Sequence, residues 1–397
     1  MSILASVPLA PRDPILGLTE QFVADPRPNK VNLGVGVYLD ETGKVPLLEC
    51  VRTAEQQLAA APTPRGYLPI DGLPAYNAAV RDLIFGPGSD AVASGRVVTI
   101  EALGGTGALK IGAEMLGASG ARRQVLISDP SWENHLALFT RAGFEVGYYR
   151  YYDPARRGLD LDGMLADLAA AEPGTVVVLH ACCHNPTGYD LSADQWEQVA
   201  SVVADRGLVP FLDLAYQGFA EGIEPDAAVP RHFATLGIPV LVASSFSKSF
   251  SLYGERVGAL SIVAADAAEA ARVLSQVKVT VRTTYSNPPT HGAAMVARVL
   301  ADPGLRALWE DELAGMRQRI KAMRQALKEG LEAQGIDDMG FITEQVGMFS
   351  YCGLTAAQMQ ALREEYGIYG TDAGRICVAA LNPGNVKEVA RAIAAVR

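Results

Sequence analysis

The sequence has no apolar run approaching the roughly 18 residues that a membrane span requires. Cysteine is sparse: five residues, at positions 50, 182, 183, 352 and 377 of 397. An odd, scattered set is not a disulfide framework and suits a reducing compartment, which here means the cytoplasm. Basic residues are outnumbered, 34 Lys and Arg against 44 Asp and Glu, for a formal net charge of −10. That balance argues against nucleic acid as a partner, because phosphate backbones need clustered Lys and Arg. The opening stretch MSILASVPLAPRDPILGL lacks the basic segment of a signal peptide, and Pro8, Pro11 and Pro14 would break a signal helix. Internal repeats, low-complexity tracts and charge blocks are missing as well.

What is there is the mix of an ordinary globular protein, 49% hydrophobic and 20% charged. The length suits a large and a small domain. From about Val97 onward, short apolar runs alternate with segments of helical period. VVTIEAL precedes TGALKIGAEMLG, QVLIS precedes WENHLALFTRAG, and TVVVLHA precedes SADQWEQVASVVADR. LVPFLDL, PVLVASS and GALSIV continue the pattern. Near-continuous Val, Leu and Ile runs between helices predict buried strands of a mostly parallel sheet flanked by helices, an α/β fold. GALSIV follows PVLVASS so closely that the sheet is expected to be mixed. Residues 304–334 read as one helix, too long for an ordinary capped and packed one, and suited to joining two domains. A smaller α+β segment follows it.

In such a sheet functional residues gather at the C-terminal strand ends. Gly104-Gly105-Thr106-Gly107 stands between a strand and a helix, where backbone N–H groups can bind phosphate. It lacks the spacing of a dinucleotide fingerprint or a P-loop, and read alone it is equally a tight turn. Asn185, in His184-Asn185-Pro186-Thr187-Gly188, offers a neutral donor and acceptor. Asp213 closes an apolar strand and needs a partner, whether in a site, a helix cap or a salt bridge. Lys248, in Ser245-Phe246-Ser247-Lys248, follows another apolar strand. Burial there lowers an amine's pKa and makes it a nucleophile, although a single lysine can equally snorkel to the surface. His180, Cys182, Cys183 and His184 invite a metal, but no second Cys pair exists and strand-borne core residues explain them better. Ser245-x-x-Lys248 also matches the serine acylases, whose Ser-Asp-Asn and Lys-Thr-Gly partners are absent. Taken together, a phosphate-cradling turn, the stacking aromatic Trp132, Asn185, Asp213 and Lys248 form the parts list for pyridoxal phosphate.

The blocks GGTGALKIGAE, SDPSWENH, HNPTG, DLAYQGF, SSFSKSFSLYGERVG, TTYSNPPTHGA and GRICVAALN resemble the class I pyridoxal-phosphate aminotransferases, in particular the bacterial aspartate and aromatic amino acid group. The resemblance covers nearly the whole chain. It implies the type I fold of pyridoxal-phosphate-dependent transferases, with a large cofactor-binding domain over 45–310 and a small domain from 1–44 plus 311–397. It implies Lys248 as the Schiff-base lysine, with Ser245, Arg256, Gly105 and Thr106 on the cofactor phosphate. Trp132 would stack on the pyridine ring, Asp213 pair with its nitrogen, and His135 sit behind Asp213. Asn185 and Tyr216 would meet the phenolic oxygen. Arg375 would take the substrate α-carboxylate, and Gly36 would lie on a segment closing over substrate. Arg282 would meet a distal carboxylate, and Tyr67 the phosphate, across the interface of a homodimer with shared sites. Two positions depart from the family pattern: Thr284, where it often has Asn, and Val346, where it often has Arg. The implied activity is amino transfer from tyrosine, phenylalanine, aspartate or glutamate to a 2-oxo acid. The alternatives are an aspartate enzyme with little aromatic activity and, more distantly, a non-catalytic cofactor-binding regulator. Neither a metal, a nucleic acid nor a membrane is expected as a partner.

Overall fold

A computed structural model of the chain describes residues 2–10, 15–120 and 122–397. Pro11 and Pro14, read above as helix breakers, lie outside them. Seven strands form the central sheet: β1 (Val97–Leu103), β2 (Gln124–Asp129), β3 (Glu145–Arg150), β4 (Val176–His180), β5 (Val209–Leu214), β6 (Val240–Ser245) and β7 (Val257–Val263). Their spatial order is β1-β7-β6-β5-β4-β2-β3. The pairs among β2 to β6 are parallel, while β7 runs antiparallel to both of its neighbours. The sheet is therefore mixed, as the close spacing of PVLVASS and GALSIV predicts.

Burial follows composition. Every residue of β4, β6 and β7 is buried, as expected for near-continuous apolar runs covered on both faces. The edge strand β3, EVGYYR, is largely open and more polar. Helix α1 (Gly104–Ala118) leaves β1 directly, and α2 (Glu133–Arg141) follows β2. Further on, α3 (Ala267–Thr284) follows β7. Two apolar cores result, one on each face of the sheet.

The stretch read as one long helix is α4 (Pro303–Glu332). It buries Leu305, Trp309, Leu313, Met316, Ile320, Met323, Leu327 and Leu331, a spacing of three and four that keeps one face inward. The expectation that so long a helix lacks an ordinary cap is not met. The Asp302 carboxylate accepts from the N–H groups of Gly304 and Leu305, and Pro303 occupies the first turn. The Trp309 indole donates to the Ser249 carbonyl at 2.7 Å, fastening α4 to the turn after β6.

Of VNLGVGVYL, only Val31–Asn32 is strand, paired in parallel with Ile368–Tyr369. Leu39 N–H donates to the Ala379 carbonyl and Cys377 N–H to that of Leu33, so this early segment is tied to the C-terminal part. All five cysteines are buried and free. Among the described residues, no helix is long and apolar enough to cross a membrane.

Candidate active site

The reversed strand decides the geometry of the site. The C-terminal ends of β1, β5 and β6 lie along one edge of the sheet, and β7 starts there because it runs backward. Arg256, which precedes β7, thus reaches the edge where Asp213 and Ser245 end their strands. A cavity of about 440 Å³ opens at this edge. Its wall takes in Gly36, Gly105, Thr106, Trp132, Asn185, Asp213, Tyr216, Ser245, Lys248, Arg256 and Arg375. Eleven of the fourteen residues singled out from sequence thus face one space. His135 stands behind it, and Tyr67 and Arg282 do not line it.

Asp213 is buried with one oxygen engaged. His135 Nε2 lies 3.0 Å from its Oδ2, and Ser131 Oγ lies 2.9 Å from His135 Nδ1. With Ser131 donating to Nδ1, His135 donates through Nε2 to the carboxylate. The Asp213 Oδ1 atom is buried and has no partner within the chain. Burial pushes the carboxyl's pKa upward, but the His135 hydrogen bond and the nearby His135, His180 and Lys248 outweigh it. The group is therefore held below the usual carboxylate range. A buried carboxylate with one orphaned oxygen fits a ligand that brings a charged N–H.

The Lys248 amine sits over the Tyr216 ring, 4.7 Å from its centroid. Burial brings its pKa down to about 8; Asp213 opposes the shift and Arg256 adds to it. An appreciable fraction of the amine is thus a free nucleophile near neutral pH.

At the other end lies an anion cradle. Helix α1 starts at Gly104 with no side-chain cap, so its first N–H groups remain available. Gly104 has φ +68, and a Cβ there would lie 2.5 Å from the Arg256 guanidinium. The glycine is what lets that guanidinium approach the helix start. Arg256 Nη1 also donates to Ser247 Oγ at 3.3 Å and to the Tyr253 carbonyl at 3.0 Å. Helix N–H groups, serine hydroxyls and an arginine make a phosphate-type site.

Arg375 is 1% exposed. It donates to Asn185 Oδ1 at 3.0 Å and to the Gly34 carbonyl at 2.7 Å, and it lies 4.4 Å from the Phe349 ring centroid. Asn185 accepts from Arg375 through its oxygen, which leaves its NH₂ as the donor toward the cavity. A Cβ at Gly36 would come 2.6 Å from the Phe349 ring, so only glycine fits there. Where Val346 replaces the family's frequent Arg, its carbonyl and those of Ile342, Gly347 and Phe349 accept from the buried Arg324 of α4.

The structure adds His180, Ser247, Tyr253 and Phe349 to the wall. His180 pairs with Asp213 in the β4–β5 register, and neither of its ring nitrogens has a partner. Burial first, then His135, lowers its pKa to about 3 against the pull of Asp213. Reading it as a core histidine missed its place in the wall, although its position one strand over from Asp213 was a usable signal. His184 is a core residue as expected, held by Ser128 and Thr187. His135, His180 and Asp213 place their donor atoms within 4.8 Å of one another. With the His135 Nε2 proton already donated to Asp213, that nitrogen is not a free metal ligand.

Tyr67 is 95% exposed. Arg282, in the last turn of α3, hydrogen-bonds Ser286 at the surface.

The comparisons with known proteins agree with this geometry. Residues 28–393 match the family profile described as Aminotransferase class I and II. The chain is 58% identical over 394 residues to a Pseudomonas aeruginosa protein named aspartate aminotransferase, covering 99% of each. It is 50% identical over 386 residues to the aromatic-amino-acid aminotransferase of Escherichia coli, covering 97% of each. The aromatic-amino-acid aminotransferase of Burkholderia pseudomallei, solved covalently bound to pyridoxal phosphate, superimposes with a TM-score of 0.97. The two are 63% identical, with both chains fully covered. The chain belongs to the class I and II aminotransferases.

Proposed function

We propose that this aminotransferase holds pyridoxal 5'-phosphate at Lys248. In ping-pong order it moves the amino group of tyrosine or phenylalanine, and of aspartate or glutamate, to a 2-oxo acid such as 2-oxoglutarate. One observation carries this reading: the buried, half-satisfied Asp213 shares a cavity with a nucleophilic lysine and a buried arginine. When bound, the cofactor supplies an electron-withdrawing ring that spreads the negative charge left as the substrate Cα–H bond breaks.

The chain's own residues do the rest. Asp213 keeps a proton on the ring nitrogen by placing a fixed anion beside it, and His135 keeps Asp213 ionised and oriented. Trp132 would stack on the ring, while the Asn185 amide and the Tyr216 hydroxyl would serve its phenolic oxygen. The N–H groups of Gly105 and Thr106, the Ser245 hydroxyl and Arg256 hold the phosphate. Lys248 would hold the cofactor covalently through its amine. As a free amine it would take the proton from the substrate Cα as base and give it back as acid. The Arg375 fork takes the α-carboxylate, and Asn185 sets its orientation.

Tyr67 and Arg282 lie outside this chain's own cavity, which supports a homodimer in which each serves a second copy. Tyr67 would reach the phosphate there, and Arg282 a distal carboxylate. The ties between the early segment and the C-terminal part support a small domain of 1–44 and 311–397 against a large one of 45–310. Gly36 would lie on the closing face. Five buried free cysteines support a cytoplasmic setting.

Borohydride reduction of the holoenzyme followed by peptide mapping tests the assignment: the label is expected on Lys248, and a label on another residue sinks it. The Pseudomonas aeruginosa relative's name favours a second reading, an aspartate enzyme with little aromatic activity. A kcat/KM panel over aspartate, tyrosine, phenylalanine and leucine with 2-oxoglutarate separates the two.

A further inference from the structure

Arg324 is a buried cation that none of these roles uses. It lies on the inner face of α4 and is 2% exposed. Its hydrogen-bond partners are all main-chain carbonyls: Ile342 at 3.1 Å, Val346 at 3.2 Å, Gly347 at 2.8 Å, and Phe349. Burial lowers its pKa only to about 10, so it stays charged near neutral pH. A guanidinium desolvated this far, with carbonyls in place of a carboxylate, is a poor source of stability. What its rigid fork does is gather one loop, residues 342–349, onto the long helix.

That loop stands behind the residues of the carboxylate fork. The Gln345 side chain braces it from within, accepting from the Ser350 hydroxyl and donating to the Tyr351 carbonyl. Gly347 has φ +75, and a Cβ there would lie 2.5 Å from the Cys183 Cβ. A Cβ at Gly188 would lie 2.8 Å from the Phe349 carbonyl oxygen, and the Val346 N–H donates to the Gly188 carbonyl at 2.7 Å. The loop is thus pressed against the chain just before and just after Asn185. Phe349 opens the short strand Phe349–Tyr351, antiparallel to Arg375–Cys377 and opposite Cys377. Cys377 donates its N–H to the Leu33 carbonyl at 2.7 Å, and the Phe349 carbonyl is turned to Arg324. The ring of the same residue lies 4.4 Å from the Arg375 guanidinium and edge-on to the Tyr216 ring at 5.9 Å. One residue therefore joins the cation of α4 to the arginine of the fork.

We propose that Arg324 is a positioning residue for the α-carboxylate site: by holding the Phe349 carbonyl, it sets the ring on which the Arg375 guanidinium rests. The inference deepens the reading of Arg375 given above and rests on it. The Arg375 Nε has no partner of its own, so the contact with this ring bears on the plane of the fork. Without Arg324, four buried carbonyls lose their donor and the loop shifts to recover one. The ring moves with it, and the fork loses the surface that orients it.

The test uses the holoenzyme and 3-phenylpropionate, which carries a carboxylate and no amine and so reads this site without reaction. Its inhibition constant should rise roughly tenfold in Arg324→Met, on the scale of one hydrogen bond to a charged group. Arg324→Lys keeps a buried cation but not the flat fork; it should show a smaller rise, and it serves if the first variant does not fold. Cofactor affinity should hold in both, because no hydrogen bond of Arg324 reaches the cofactor end of the cavity. An unchanged inhibition constant, or a parallel loss of cofactor affinity that marks general loosening, overturns the proposal. A double-variant cycle reads the route. Phe349→Leu removes the ring, so adding the Arg324 substitution to it should cost little more, and additive losses overturn the proposal. Arg375→Lys, measured alongside, checks the reading beneath. An unchanged constant there overturns that reading and this one together, whereas a loss there with none at Arg324 overturns this one alone.

Discussion

The Nε2 atom of His135 lies 3.0 Å from Oδ2 of Asp213, and that contact leaves the second carboxylate oxygen buried without a partner. Asp213→Asn removes the charge and keeps the shape. We expect kcat to fall by roughly 10²–10³-fold, the scale seen when one preorganised electrostatic group is lost. His135→Asn acts through Asp213, so its loss should be smaller, about 10- to 100-fold. Steady-state rates with saturating cofactor check both. Equal losses would mean that His135 does more than orient the carboxylate.

The amine of Lys248, with its pKa near 8, gives a signed pH dependence. Only the free amine attacks a carbonyl, so recombination of apoenzyme with cofactor should quicken as pH rises and level off above about 8. Stability has its own sign. The folded pKa lies below the 10.5 of an ordinary lysine, so between about 8 and 10.5 the unfolded chain binds more protons. This group's contribution to stability therefore grows with pH across that window. Denaturant melts of apoenzyme at several pH values should show the slope, and Lys248→Ala should remove it.

Arg375→Lys keeps the charge and loses the fork that Asn185 and the Gly34 carbonyl hold in place. The kcat/KM for every amino acid substrate should fall, by roughly 10²-fold if one charge-assisted hydrogen bond is lost. Arg282→Ala should instead discriminate, lowering turnover of aspartate far more than that of phenylalanine. If tyrosine or phenylalanine suffered as badly as aspartate, the distal role of Arg282 would be wrong.

Gly36→Ala puts a methyl group 2.6 Å from the Phe349 ring. The ring lies against the Arg375 guanidinium, so displacing it disturbs the carboxylate fork. The overpacking cost is about 1–3 kcal/mol. It should appear mainly as a raised KM for all substrates, measurable beside the unaltered protein at one cofactor concentration.

Most of the fold was legible because the buried strands are nearly pure Val, Leu and Ile, and the strand ends carry the polar residues. Asp213 and Lys248 stood out for that reason: Asp213 closes the apolar run LVPFLDL, and Lys248 follows the apolar strand VLVASS. The second strand-end polar residue, His180, was read as core because a histidine beside two cysteines has a plainer explanation, and only the β4–β5 register puts it next to Asp213. Phe349 carries no chemical signal of its own; its role follows from touching Arg375 and also Gly36, more than 300 residues earlier in the chain. In the short apolar run VNLGVGVYL the alternate glycines leave little to pack, and only Val31–Asn32 finds a partner strand.

The indole of Trp309 is bound to the backbone one residue beyond Lys248, and from there α4 continues unbroken to Glu332. At 1.5 Å per residue that is a rod about 35 Å long. Arg317 and Lys321 fasten the same rod again, to the Gly218 carbonyl and to Glu221, so the turns after β5 and β6, the second of which carries the amine, are registered at three points along one helix.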